Sequence, residues 1–167
     1  TSAFSANRGN ALSSVMEIKQ REGRKDRIGV NATLGSSDVG VTAEGPLGEK
    51  GTFIASVRRS YLQTLFKLIG LPFLPTYNDF QFKTKHQLND NNQLTIIGLG
   101  SYDNFDLNLE ANETEEQRLL LRNLPEQNQW SYALGANYKN FREKGYTTLI
   151  VSRNHLENMS DKYRDNI

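Results

Sequence analysis

The chain has 167 residues, a formal net charge of +1 at pH 7, no cysteine and a hydrophobic fraction of 37%. This length is enough for one domain with a sizeable core, and the low mean hydropathy of −0.62 suits strands that are polar on one side. The small net charge produces no global field that would favour a nucleic acid or an acidic partner. The lack of cysteine excludes a disulfide scaffold and a thiolate metal site but leaves the compartment open.

No run of about 18 or more apolar residues is present, so the sequence predicts no transmembrane helix. A membrane barrel stays open, because its strands need only ~9–11 residues of alternating character. The chain begins at Thr1 without a signal-peptide pattern and ends at Ile167 without a closing strand. We therefore expect a piece of a longer protein.

The N-terminal residues carry little periodic signal. Residues 1–10 are small and polar, which predicts loose order. Residues 11–20 contain Leu12, Val15, Met16 and Ile18, which favours a short strand leading into the charged run 19–27. A short helix is the alternative.

Residues 28–59 carry the clearest pattern of the chain. Residues 28–34 alternate apolar and polar side chains and end at a turn over 35–38, which predicts a strand. Residues 38–59 alternate on both sides of the turn-forming stretch 45–51, which predicts a β-hairpin with one apolar and one polar face. The apolar positions are Val39, Val41, Ala43, Phe53, Ala55 and Val57, and Ile54 breaks the alternation once. Three strands with tight turns predict an antiparallel meander.

Residues 60–70 change period. Leucine and aromatic side chains recur at helical spacing, which predicts a short loop helix. Pro72 and Pro75 must end that helix, because proline lacks the amide proton.

The remaining sequence alternates between two-faced strands and polar connections. Strands are predicted over 80–88, 94–102, 130–139 and 146–153, with turns over 89–92 and 141–145. The long connection 103–129 is acidic and amide-rich and contains a predicted helix over 113–122. Residues 154–164 are predicted to form a second polar loop.

The connections alternate between short and long. The turns over 45–51, 89–92 and 141–145 fall at one end of an up-and-down sheet. The connections over 62–78, 103–129 and 154–164 fall at the other end, where the short turn 35–38 is the exception. This is the organisation of an outer-membrane barrel, and aromatic residues near strand ends fit its interfacial girdles. They are Trp130, Tyr132, Tyr138 and Tyr146.

Several stretches resemble a TonB-dependent outer-membrane receptor of the kind common in Bacteroidetes. Residues 9–18 (GNALSSVMEI) resemble the last strand of that family's plug domain. Residues 40–47 (GVTAEGPL) and 51–61 (GTFIASVRRSY) resemble the second and third barrel strands. Residues 77–80 (YNDF), Lys83 with 89–94 (NDNNQL), and 100–105 (GSYDNF) resemble the next hairpin. The resemblance covers most of residues 9–154.

The resemblance implies an all-β fold, an antiparallel up-and-down meander that is a fragment of a transmembrane β-barrel. Residues 1–24 would be the end of the plug domain and its linker. Residues 25–167 would be the N-terminal part of the barrel, about seven strands with long extracellular loops near 62–78, 103–129 and 154–164. The family's energy-coupling box, most of its plug and its terminal aromatic strand are missing, and barrels of this class close at about 22 strands.

The implied function is part of an outer-membrane receptor that binds and imports a scarce solute of the siderophore, cobalamin or glycan type. The implied partners are outer-membrane lipid, the remainder of the barrel and plug, the inner-membrane TonB complex and an unidentified solute. No nucleic acid partner is expected, and the implied location is the outer membrane of a Gram-negative cell. The free strand edges of a fragment predict self-association. The alternative is a soluble antiparallel β-sheet domain that binds a ligand or a protein partner.

The sequence predicts no catalytic, cofactor-binding or metal site, and therefore no enzyme. No serine–histidine–aspartate order with a glycine elbow is visible, and Gly98-Leu99-Gly100 lacks the third glycine of a nucleotide fingerprint. His86 and His155 have no metal-ligand spacing, and residues 89–92 predict a turn rather than a calcium loop.

If the apolar faces contact lipid, the polar faces line the lumen, although the same residues also suit a solvated sheet. The predicted lumen-facing residues are Asn31, Thr33, Thr42, Glu44, Arg58, Gln81, Lys83, Lys85, Ser131, Asn137 and Lys139. Alternation also requires that one of Arg58 and Arg59 faces the apolar side or lies at the rim near the long loops.

Overall fold

The computed structural model describes residues 15–162 and contains one antiparallel sheet of seven strands in sequence order. This confirms the predicted all-β, up-and-down meander. The elements are β1 (Gly29–Leu34), β2 (Asp38–Pro46), β3 (Gly51–Ser60), α1 (Leu62–Leu68), β4 (Phe73–Asn89), β5 (Asn92–Leu107), α2 (Glu115–Asn123), β6 (Glu126–Arg142) and β7 (Gly145–Asp161).

The sheet has a turn end and a loop end. The turn end carries the connections 47–50, 90–91 and 143–144, which are short. The loop end carries the turn 35–37 and the longer connections 61–72 and 108–125, which hold α1 and α2. The predicted separation of short and long connections is confirmed for these segments.

The predicted loop over 154–164 is wrong for residues 154–161. These residues continue β7, which pairs with β6 as far as Glu126 and Asp161. Their side chains are mostly polar, and the two apolar ones, Leu156 and Met159, lie on opposite faces, so backbone pairing with the equally long β6 extends the strand. Residues 163 and 164 lie outside the described part of the chain.

Two other predicted loops are shorter than expected because β4 and β5 extend into them. Pro75 lies inside β4, beyond the end of the pairing with β3 at Asn78. The amide of Tyr77 faces the β3 side, where it donates to Ser60 Oγ at 2.9 Å. Pro75, two residues earlier, faces the same side with a backbone nitrogen that carries no proton. Because β4 has no partner strand on that side at Pro75, no hydrogen bond of the sheet is lost.

The predicted strand or helix over 11–20 is wrong for residues 15–20, since residues 15–28 form neither. Residues 11–14 lie outside the described part of the chain. Residues 20–22 form hydrogen bonds with side chains of β2 and β4 rather than with the backbone of a neighbouring strand.

The loop end holds a small packed cluster made by the two longer connections. Phe73 lies between two rings: its centroid is 5.5 Å from Phe66, edge-on, and 5.5 Å from Phe105, stacked. The Asn108 amide donates to the Leu71 carbonyl at 2.9 Å. We call α1, α2 and these connections the loop cluster.

Helix α2 carries its own start signal within the loop cluster. Thr114 and Gln117 form a reciprocal capping box, with Thr114 Oγ1 accepting from the Gln117 amide. Gln117 also donates to the Gly70 carbonyl at 2.9 Å, which ties α2 to the end of α1. Leu121 is fully buried, so this helix is fixed by packing as well as by its cap.

Within residues 15–162 the sheet has no second layer on either face. The buried apolar side chains of that range are few: Ile54, Pro72, Ala111 and Leu121. No helix in the same range is long and apolar enough to cross a membrane.

Candidate functional site

One face of the sheet carries a continuous exposed apolar surface, which we call the belt. Strand pairing places the alternating apolar residues of all seven strands on this face. The belt consists of Val30, Ala32, Leu34, Val39, Val41, Ala43, Phe53, Ala55, Val57, Phe80, Phe82, Leu94, Ile96, Tyr102, Trp130, Tyr132, Leu134, Ala136, Tyr138, Leu149 and Val151. Leu34 is 80% exposed and Val151 63% exposed, so the belt is uncovered at both edges of the sheet.

The belt crosses the sheet diagonally. The pairing aligns Ala32 of β1, through Val57 of β3, with His155 of β7. The belt residues of β7 are instead Leu149 and Val151, nearer the turn end. The belt therefore shifts by roughly five residues between β1 and β7. Strands tilted by ~35–45° and spaced by ~4.8 Å give about one residue of shift per neighbouring strand relative to a horizontal plane.

This shift explains the charged residues on the same face of β7. Arg153, His155 and Glu157 lie on the loop-end side of the belt rather than inside it. The imidazole of His155 stacks on Tyr132 at 5.3 Å between centroids. His86 lies near the turn end, so the two histidines are not brought together.

Two glycines keep the belt smooth at its centre. A Cβ added at Gly98 would lie 2.3 Å from the ring of Phe82, and one at Gly100 would lie 2.6 Å from the ring of Phe80. The phenyl rings of β4 therefore lie directly over the backbone of β5. Only glycine permits this approach.

The opposite, polar face carries a chain segment that crosses it. Residues 20–24, which we call the seated segment, lie over β2, β3 and β4. Lys83 Nζ donates to the Gln20 carbonyl at 2.7 Å, and Lys85 Nζ donates to the Glu22 carboxylate at 2.5 Å. Arg21 forms a bidentate pair with Glu44. The segment is thus held at both sides by charged side chains.

The centre of the seated segment contacts the sheet backbone. A Cβ added at Gly23 would lie only 1.9 Å from the Phe53 carbonyl oxygen, so glycine is required there. Ile54, the residue that broke the alternation, faces this side and is 8% exposed. Together with Gln20 and Arg21, Ile54 lines a small hollow under the segment. The residue that breaks the alternation is therefore buried next to the seated segment.

The charges of the seated segment complement those of the sheet. The hydrogen bond from Lys85 lowers the pKa of Glu22, and the charges of Lys85, Lys83 and Lys25 act in the same direction. The hydrogen bond with Glu44 raises the pKa of Arg21. The raised pKa of Arg21 and the lowered pKa of Glu22 keep these two groups charged at neutral pH.

The eleven predicted lumen-facing residues all lie on the polar face, but only some of them are brought together. Glu44, Gln81, Lys83 and Lys85 meet the seated segment. The others contact near neighbours on the sheet. Hydrogen bonds join Thr42 to Ser56 at 3.0 Å, Ser131 to Ser101 at 2.9 Å, Arg58 to Asp79 at 2.8 Å and Asn31 to Thr33 at 3.5 Å. Lys139 lies over the Tyr146 ring, and Asn137 has a buried Oδ1 with no hydrogen-bond partner in the described chain.

Arg58 and Arg59 point to opposite faces, as alternation required. Arg58 lies on the polar face beside Asp79 and over the Tyr77 ring. Arg59 lies on the belt face at the loop end of β3, where it donates to Asn78 Oδ1 at 3.2 Å. The predicted rim position of one arginine is confirmed.

No family model, curated protein or solved structure matched the chain. Within residues 15–162, no group of three or more histidine or acidic side chains could hold a metal ion.

Sequence reasoning missed two features of the polar face. Leu99, Ile150 and Leu156 lie on it and are exposed, so this face is apolar in the middle of β5–β7. The seated segment was also missed, because its partners lie as far as 63 residues away in sequence. The run 19–27 is mainly basic, as are Lys83 and Lys85, so its charge pattern gave no signal for the contact that Glu22 makes with Lys85. Tyr146, predicted for an interfacial girdle, faces the polar side.

Proposed function

We propose that the chain forms part of the wall of an outer-membrane TonB-dependent receptor, which binds and imports a scarce solute of the siderophore, cobalamin or glycan type. The observation that carries this proposal is the exposed belt. A single sheet whose apolar face is uncovered across seven strands needs an apolar environment on that side, and lipid supplies it.

The diagonal course of the belt supports the same proposal. Strands in transmembrane barrels are tilted by ~35–45°, so a horizontal lipid layer crosses their hydrogen-bond register obliquely. The polar ends of β4–β7 would project beyond the lipid at the loop end.

The seated segment supports the assignment of the polar face to the inside. The chain that precedes β1 turns onto the polar face, where the resemblance places the plug and its linker. The remainder of the barrel would continue from the unpaired edges of β1 and β7, and the TonB complex would act on the intact protein. The solute class comes from the resemblance alone.

A cysteine scan of the full-length protein tests the belt, because the chain carries no native cysteine. Leu134→Cys and Ala133→Cys place spin labels on adjacent residues that face opposite sides of β6. In outer-membrane vesicles we expect the label at position 134 to be more accessible to oxygen than to a water-soluble nickel chelate. We expect no such preference for the label at position 133.

The alternative of a soluble binding domain predicts a different outcome. It requires a covering layer from outside residues 15–162, which would exclude both relaxing agents from the label at position 134. The protein would also be recovered in a soluble fraction rather than with the outer membrane.

A further inference from the structure

The belt contains a groove at its loop-end border. Val41 and Val57 line it on one side and Phe80 and Trp130 on the other, around a volume of about 390 Å³. The centroids of Phe80 and Trp130 lie 6.3 Å apart, so the aromatic side is continuous. An extended hydrocarbon chain fits the chemistry of this lining.

A polar hollow adjoins the groove on the side of the long connections. Its volume is about 340 Å³, and it shares Arg59, Asn78 and Tyr102 with the groove. Asn104 and Asp106 complete its lining together with polar residues of α1 and β4. The two cavities therefore form one site with an apolar part and a polar part.

Three side chains give the polar hollow its ligand preference. Arg59 forms no ion pair within residues 15–162 and stands where groove and hollow meet. Asn78 fixes it there by accepting from Arg59 and donating to the Tyr102 carbonyl at 3.1 Å. Asp106 lines the hollow with a carboxylate, which accepts hydrogen bonds. The hydroxyl groups of a ligand can donate to it.

We propose that this site binds one phosphorylated glycolipid, with an acyl chain in the groove, the phosphate at Arg59 and a sugar hydroxyl at Asp106. An acyl chain alone would leave Arg59 and Asp106 unmatched. A phospholipid with a small headgroup would supply phosphate but few hydroxyl donors. The inference rests on the proposed function, since only an outward face in lipid exposes the groove to such a molecule.

Lipid binding to the full-length protein in mild detergent tests the site. The probe is lipid A, a phosphorylated and acylated disaccharide, and the readout is bound lipid by mass spectrometry. Arg59→Gln removes the phosphate partner and is expected to lower the affinity about tenfold. Val57→Trp fills the groove and is expected to abolish retention.

Matched controls lie on the same face outside the groove. Arg153→Gln and Val151→Trp make the same chemical changes on β7 and are expected to leave lipid A binding unchanged. Equal binding by the wild type, Arg59→Gln and Val57→Trp would overturn the proposal. Equal retention of phosphatidylglycerol and lipid A would overturn the assignment of the sugar contacts.

A separate readout distinguishes failure of the site from failure of the proposed function. Membrane fractionation of the wild type reports location without reference to the groove. Recovery with the outer membrane, combined with no retained lipid A, would refute the lipid site alone. Recovery in a soluble fraction would refute both.

Discussion

The substitution Gly23→Ala tests whether the seated segment is held by close backbone contact. The added Cβ would lie 1.9 Å from the Phe53 carbonyl oxygen and 2.6 Å from its carbon. Ordinary contact needs ~3.4 Å or more, so the segment must move away by about 1.5 Å. The same movement would stretch the 2.7 Å hydrogen bond from Lys83 to Gln20 beyond the hydrogen-bonding range.

Trypsin sensitivity measures the released segment, since Arg21 and Arg24 are tryptic sites within it. Overpacking typically costs about 1–3 kcal/mol, and each 1.4 kcal/mol of easier local opening is about tenfold in the open population. We therefore expect cleavage after these arginines to be roughly 5- to 150-fold faster than in the wild type. Mass spectrometry of the products identifies the site of cleavage.

Gly145→Ala is the matched control, because a Cβ added there meets no heavy atom within 4 Å. It is expected to leave cleavage after Arg21 and Arg24 unchanged. Cleavage of Gly23→Ala at the wild-type rate would refute the reasoning, since the segment would then tolerate a side chain at its closest contact.

Three further outcomes are expected. Lys85 lowers the pKa of Glu22, so the stability that their ion pair contributes is fully present above the ordinary glutamate pKa and is lost as the pH falls through the lower folded value. The chemical shift of the Glu22 carboxyl group measures this titration, and Lys85→Met is expected to return the pKa of Glu22 to its ordinary range. Leu121→Ala is expected to cost about 2–5 kcal/mol and to speed hydrogen exchange in α2, whereas Leu119→Ala, at a 61% exposed position, is expected to change little. Thr114→Ala removes the cap of α2 and is expected to cost about 1 kcal/mol by the same measurement.

The sequence was sufficient for the strands whose two faces differ. Alternation over 38–59 placed Val41 and Val57 on one side and Thr42 and Ser56 on the other, as the structure confirms. The reason is geometric, because side chains of a strand alternate strictly with period two. Helical spacing identified α1, and the run 113–122 identified α2 to within two residues at its start.

The sequence pattern did not predict the features that depend on pairing between residues far apart in the sequence. The end of β7 was missed because residues 154–161 are mostly polar and lack an alternating pattern, and the strand is extended by its pairing with β6. The course of the belt needed the register of all seven strands. The groove at the loop-end border of the belt joins residues of five strands, β2 to β6, and alternation alone shows only which side chains share a face.

The strictly sequential pairing of the strands has a consequence for how the chain folds. Every strand lies beside its neighbour in sequence, so the sheet can form by successive hairpins, each step closing only a local loop. The last strand formed then presents a row of unsatisfied amide and carbonyl groups as the template for the next one. Such an edge is open at β1 and at β7, so a further strand can add at either side of the sheet by the same backbone pairing.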